Sequence, residues 1–243
     1  LGDLPGRKLV LGAGYRPSHL GPPPAEDVTI LAVRGRLTCE KLGLDPKLAK
    51  GDPAVLIQDA WQTQREARGK IGFMPHYQTS RAFPLRSVVE DAGFVYIDPE
   101  SEVETVLKAM SGVDRLLTEA MHGAIVADAL GLPWKRVGLY NHVREAPGSV
   151  DFKWADWASV YGLDWKPSHL HELPIPAKGL VRRAVRRLGR AGRLRGVAAE
   201  LRRASDSSGF QVSNRTLCRE RCEDYRSMLH RISGRLTVES ALG

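Results

Sequence analysis

The sequence predicts an α/β protein built on parallel sheet with helices on both faces. Three features carry that expectation. Short apolar runs stop at glycines or turn residues, helix-period segments fall between them, and a polar aperiodic stretch divides the alternation into two series.

The first series opens with RKLVLGAG (7–14), a buried strand ending in a glycine turn. VTILAVRG (28–35) is a second buried strand, LTCEKLGL (37–44) a short helix ending near Gly43, and AVLI (54–57) a third strand. DAWQTQREARG (59–69) has no periodicity and reads as the connector between halves. The second series runs KIGFMPH (70–76) as strand, SRAFPLRSVVEDAG (80–93) as helix after Pro84, and FVYID (94–98) as strand. SEVETVLKAMSG (101–112) is a helix with Ser101 and Glu104 at the capping-box offset and Val103, Val106, Leu107 and Met110 on one face. RLLT (115–118), HGAIVADALG (122–131) and WKRVGL (134–139) continue as strand, helix and strand. KWADWASVYGL (153–163) reads as a helix clustering Trp154, Trp157 and Tyr161, as two core tryptophans rather than a sugar platform. Residues 180–203 repeat apolar positions at helical spacing opposite an arginine face. SDSSG (205–209) breaks the pattern, and 217–236 forms a final helix.

Composition is that of a soluble globular chain, with 42% hydrophobic and 26% charged residues. No apolar run approaches the ~20 residues that span a bilayer, and no secretory signal is visible at the start. Three cysteines, Cys39, Cys218 and Cys222, make no disulfide framework, and no partner residues complete a zinc set. The expectation is a cytoplasmic protein with reduced thiols and no metal or cofactor. The net charge of +8 is uneven: residues 178–235 hold 16 Lys and Arg against 5 acids, leaving the rest slightly acidic. The tail lacks interleaved aromatics and any nucleic-acid motif, so no nucleic-acid partner is expected.

Ligands of open α/β sheets bind at the carboxyl ends of strands. That rule collects Gly12 and Gly14 after the first strand, Arg34 and Arg36 after the second, His76 after IGFM, and Glu119, His122 and Gly123 after RLLT. The helix opening at His122 offers backbone N–H groups and a partial positive charge to an anion. The helix end disfavours a charged imidazole, and a bound anion reverses that. His122 is therefore suited to acid/base work, with Glu119 as orienter or second base and His76 in reserve. The competing reading is that His122 caps its helix or packs in the core. Arg34 and Arg36 form an anion clamp or a solvated surface pair. GAGY lacks the third glycine of a dinucleotide fingerprint.

LVLGAGY, VRGRLTCEKLGL with GDPAVLI, IGFMPHY, LLTEAMHGAIVADALGLPW and KWADWASVYGL, in that order over residues 8–163, resemble the polysaccharide pyruvyl transferase family, in particular its exopolysaccharide ketal-pyruvate transferase branch. The resemblance implies two Rossmann-like halves of GT-B type, at 1–60 and 70–165, followed by a basic helical tail at 178–243. It implies transfer of a pyruvyl group from phosphoenolpyruvate to two hydroxyls of a lipid-linked sugar. The motif R-x-H-G of that family matches His122 and Gly123, but Ala120 stands at the arginine position, so Arg34, Arg36 or Arg81 is expected to supply the missing anion contact. The usual N-x-G-D element is absent, and with the leucine start this gives the expectation of a truncated first half and an incomplete enzyme. Residues 180–203 are expected to lie on anionic lipid at the inner face of the cytoplasmic membrane. Two alternatives stand beside this reading. One is a nucleotide-sugar-dependent glycosyltransferase of the same architecture; the other is a non-catalytic nucleic-acid or membrane binder acting through the tail.

Overall fold

The computed structural model describes residues 6–16, 27–61, 69–139, 148–169, 196–206 and 208–242. Most of the expected connector (62–68) and most of the arginine-striped segment (180–195) lie outside the described residues. The chain forms an α/β structure with two parallel sheets, and it divides into two compact units. Unit 1 gathers residues 1–60, 146–165 and 213–243; unit 2 gathers 61–145 and 166–212.

In unit 1, β1 (Lys8–Ala13) and β2 (Val28–Val33) pair in parallel, and Val33 bridges Ala49 beyond β2. Helix α1 (Arg36–Leu42) ends on Gly43, whose φ of 63° is a left-handed conformation that glycine adopts without penalty. Residues 54–57, expected as a strand, are instead a 3-10 turn (Pro53–Leu56) running into α2 (Ile57–Ala60). The deciding residues stand just before the apolar run. The Asp52 side chain accepts from Ala54 N–H, and Pro53 fits the first helical position. Helices α7 (Ser149–Tyr161) and α9 (Arg215–Leu242) complete the unit; α8 (196–206) belongs to unit 2. Cys218, Cys222, Tyr225 and Met228 of α9 form a core with Ala32 and Val55. All three cysteines are buried thiols. Trp154 and Trp157 are buried edge-to-face at 6.4 Å, as core tryptophans. No helix among the described residues is long and apolar enough to cross a membrane.

Unit 2 carries a five-stranded parallel sheet in the order β4-β3-β5-β6-β7. The strands are β3 (Ile71–Met74), β4 (Val95–Tyr96), β5 (Arg115–Thr118), β6 (Trp134–Gly138) and β7 (Ser168–His169). Leu116 and Leu117 point to opposite faces of β5, and both are fully buried, so the sheet is covered on both sides. Its helices are α3 (Tyr77–Ala82), α4 (Leu85–Asp91), α5 (Val103–Ser111), α6 (Met121–Ala129) and α8 (196–206). Val89 of α4 and Val197 and Leu201 of α8 meet Phe73, Leu117 and Val137 from the strands in one core. The expected capping box of α5 does not form. The N-cap is Glu102, Glu104 pairs with Lys108 one turn on at 2.8 Å, and Val103 is exposed while Leu107 and Met110 are buried. Two strand cations close the far end of α8. Lys135 Nζ donates to the carbonyls of Ala204 (3.3 Å) and Ser208 (2.9 Å), and Arg115 donates to that of Ser205 (3.3 Å). Cations there satisfy terminal carbonyls and oppose the helix dipole. Burial lowers the pKa of Lys135.

Candidate functional site

In unit 2 the chain steps from β3 to β4 on one side and returns to β5 on the other, so the strand order reverses between β3 and β5. In doubly wound sheets the ligand crevice opens outside the carboxyl ends of the strands at this reversal. His76 follows β3; Glu119 and His122 follow β5.

The half-buried Glu119 carboxylate ties the exits of three strands together. Its Oε2 accepts from the backbone N–H of His76 at 3.2 Å, and its Oε1 from that of Leu139 at 2.6 Å. His76 is the N-cap of α3, with Nδ1 accepting from Gln78 N–H at 3.3 Å. That bond leaves the proton of the neutral ring on Nε2. The imidazole also lies against the Tyr77 ring, with centroids 4.6 Å apart. His122 is the second residue of α6 and is exposed, so it is not packed in the core. The α6 N-cap is Ala120, which has no capping side chain. The turn is shaped instead by buried Thr118, whose Oγ1 accepts from Ala120 N–H (3.0 Å) and donates to Ala120 C=O (3.1 Å). Gly123 is where α6 crosses the sheet: a Cβ there would lie 2.6 Å from Met74 Sδ and 2.7 Å from Thr118 Oγ1. Arg81 is exposed and forms an ion pair with Glu100, its Nε 2.8 Å from Oε1, while its guanidinium lies over the Tyr77 ring.

In unit 1, Arg34 follows β2 and is only 9% exposed. Its Nε donates to Oδ2 of the fully buried Asp156 at 3.0 Å. The same carboxylate accepts from Thr38 N–H (2.8 Å) and Thr38 Oγ1 (2.6 Å). Asp156 of α7 thus caps the first turn of α1 from outside, and Ser159 Oγ accepts from Arg36 N–H at 3.0 Å beside it. Gly35, the N-cap of α1, permits this closeness, since a Cβ there would collide with the Asp156 carbonyl. Arg34 Nη2 is buried and has no hydrogen-bond partner among the described residues. The backbone of Gly14 passes directly against the guanidinium, where a Cβ would overlap it. The Arg36 side chain is exposed. Gly12 is buried, and the space a side chain would need is filled by Pro53 and Tyr225.

The expected site residues therefore fall into two sets, His76, Arg81, Glu119, His122 and Gly123 in unit 2, and Gly12, Gly14, Arg34 and Arg36 in unit 1. Asp156 escaped the sequence analysis. Its one signal was an acid set between Trp154 and Trp157 on a helix with a buried aromatic face. Among the described residues, no three of His, Cys, Asp and Glu are grouped to hold a metal ion.

Comparison with known proteins finds two relatives. The chain is 34% identical over 164 residues to the succinoglycan biosynthesis protein ExoV of Rhizobium meliloti (strain 1021), which covers 66% of this chain and 49% of that protein. It is 28% identical over 142 residues to the uncharacterized protein L143 of Acanthamoeba polyphaga mimivirus, covering 54% of this chain and 48% of that one. The chain thus spans about half the length of the curated relatives it matches. No family model matches. No solved structure matches.

Proposed function

We propose that this chain serves pyruvyl transfer in exopolysaccharide biosynthesis, moving the three-carbon unit of phosphoenolpyruvate onto two hydroxyls of a sugar as a cyclic ketal. The observation that carries the reading is the exposed His122 in the first turn of α6, at the strand-order reversal and three residues from the carboxylate that fixes His76. The similarity to ExoV, by name a succinoglycan biosynthesis protein, supports the saccharide side of the reading.

The chemistry asks for few groups. A proton goes to the methylene carbon of phosphoenolpyruvate, leaving a cationic centre at C2. Two sugar oxygens bond to that carbon, and the C2–O bond to phosphate breaks. One hydroxyl proton replaces the proton given to the methylene, and the other leaves with inorganic phosphate. His122 is the acid/base group. Glu119 is a positioning group, because both its oxygens already accept backbone N–H bonds. In unit 1, Arg34 and the Gly14 turn are the candidate donors to an anion. The acceptor is a lipid-linked oligosaccharide, met at the inner face of the membrane with help from the arginine-striped 180–203 segment.

The test incubates the chain with phosphoenolpyruvate and polyprenyl-linked hexose oligosaccharides, following phosphate release and the ketal methyl signal by proton NMR. His122→Ala is expected to lower kcat about 10²–10⁴-fold while the thermal midpoint stays near that of the wild type, because the side chain is exposed. Near-normal turnover in that variant removes His122 from the mechanism. Thermal protection by a nucleotide sugar but not by phosphoenolpyruvate would favour glycosyl transfer instead.

A further inference from the structure

We infer that Asp156 is a positioning residue that aims the Arg34 guanidinium at a carboxylate or phosphate group, an inference that rests on the phosphoenolpyruvate reading above. A purely structural Arg–carboxylate pair usually closes both prongs, with Nε and an Nη on the two oxygens. Here the second oxygen is taken by Thr38 N–H, and Arg34 reaches Asp156 through Nε alone. The guanidinium is therefore held by one edge, and Nη2 is left buried without an acceptor. Buried donors in native proteins have partners, and an orphan calls for one. Gly14, the residue after β1, lies against the guanidinium, and its missing side chain is what allows that approach. On this inference an acceptor oxygen reaches Nη2 only once that turn moves outward.

The chemistry of Asp156 explains why it has to be an acid. Its Oδ1 faces the Thr38 N–H and its Oδ2 faces the Arg34 Nε–H, and neither donor can act as an acceptor. Asparagine would set its NH₂ against one of them in either orientation, releasing Arg34 or uncapping α1. The sign of the resulting effect separates aiming from simple neutralisation. Removing a negative charge 3.0 Å from Arg34 would by itself strengthen anion binding. Loss of aim weakens it.

The experiment is calorimetric titration of the full chain with phosphoenolpyruvate, after far-UV circular dichroism has established folding. Asp156→Asn is expected to raise Kd about tenfold to a hundredfold, the worth of a charge-assisted hydrogen bond. Arg34→Lys is expected to do the same. The double variant should be no worse than Arg34→Lys alone, because Asp156 acts through Arg34. If Asp156→Asn does not fold, Gly14→Ala carries the test: its methyl group would displace the guanidinium from the other side and should raise Kd similarly. Unchanged or tighter binding by Asp156→Asn, or by Gly14→Ala where that variant is needed, overturns the inference, as do additive losses in the double variant. Absence of binding by the wild type overturns the phosphoenolpyruvate reading, and this inference with it, so the two failures are told apart.

Discussion

Gly123→Ala separates a packing role for this glycine from a ligand-facing one without any ligand. The added methyl would stand 2.6 Å from Met74 Sδ and 2.7 Å from Thr118 Oγ1, where non-bonded heavy atoms settle at about 3.5–4.0 Å. Met74 is buried, so the flexibility of its side chain helps little. Thr118 is fully buried and holds the turn into α6 through two bonds to Ala120, so it moves only by giving them up. Overpacking of this kind costs about 1–3 kcal/mol, and each lost bond about 1 kcal/mol. Against that, alanine in place of glycine favours the helix by about 1 kcal/mol. With both bonds given up the balance is a loss of about 2–4 kcal/mol, or a fall in Tm of about 4–16 °C for a protein of this size. Thermal denaturation followed by circular dichroism reads it directly, and Met74→Ala added to the variant should restore part of the loss. A Gly123→Ala protein melting at or above the wild-type temperature would refute the argument and move the need for glycine from helix–sheet packing to the approach of a ligand.

Two further variants test the framework around the candidate residues. Tyr225→Phe removes the bond from the Tyr225 hydroxyl to the Gly51 carbonyl (2.7 Å) and should cost about 1 kcal/mol in urea unfolding at pH 7. Burial pushes the Tyr225 pKa well up, so the neutral phenol is favoured in the folded state. Its contribution is complete below the ordinary phenol pKa of about 10 and is lost as pH rises from there towards the folded value. The variant should accordingly show a flatter alkaline limb, and matching limbs would contradict the assignment. Glu119→Gln turns an amide NH₂ towards the N–H of either His76 or Leu139, which should destabilise unit 2 by about 1–3 kcal/mol and depress phosphate release. A variant with wild-type stability in chemical denaturation would mean the carboxylate does not hold these strand exits.

The strand–helix alternation was readable because each apolar run is short and ends on a residue that stops it: Gly43 after α1, Gly93 after α4, Pro133 before β6. The misread segment at 54–57 shows the limit of that signal. Four apolar residues have no period, so helix and strand look alike. Asp52 and Pro53 hold the answer, through a cap visible only if the preceding pair is given more weight than the run. The order of strands in unit 2 was not legible either. Alternation predicts parallel neighbours, but which strand lies beside which depends on crossovers that composition does not record. Lys135 and Arg115 look like charges misplaced in buried strands until α8 brings its carbonyls to them.

The same limit explains why Glu119, beside His122 in the chain, was legible as a candidate while Asp156 was not. Asp156 meets Arg34 across 122 residues and Glu119 meets His76 across 43, distances at which no local pattern survives. Yet the two acids do the same thing in separate units. Each carboxylate accepts backbone N–H bonds at a strand exit and fixes a basic residue, Arg34 in one case and His76 in the other. An unengaged carboxylate at either exit would repel an anionic substrate. A carboxylate surrounded by N–H donors repels it far less, while still dictating where the guanidinium or imidazole lies. A binding surface for a small dianion can therefore be rich in acids, provided each is turned inward to the backbone. By this argument each acid acts through the basic residue it holds, Glu119 through His76 in unit 2 and Asp156 through Arg34 in unit 1.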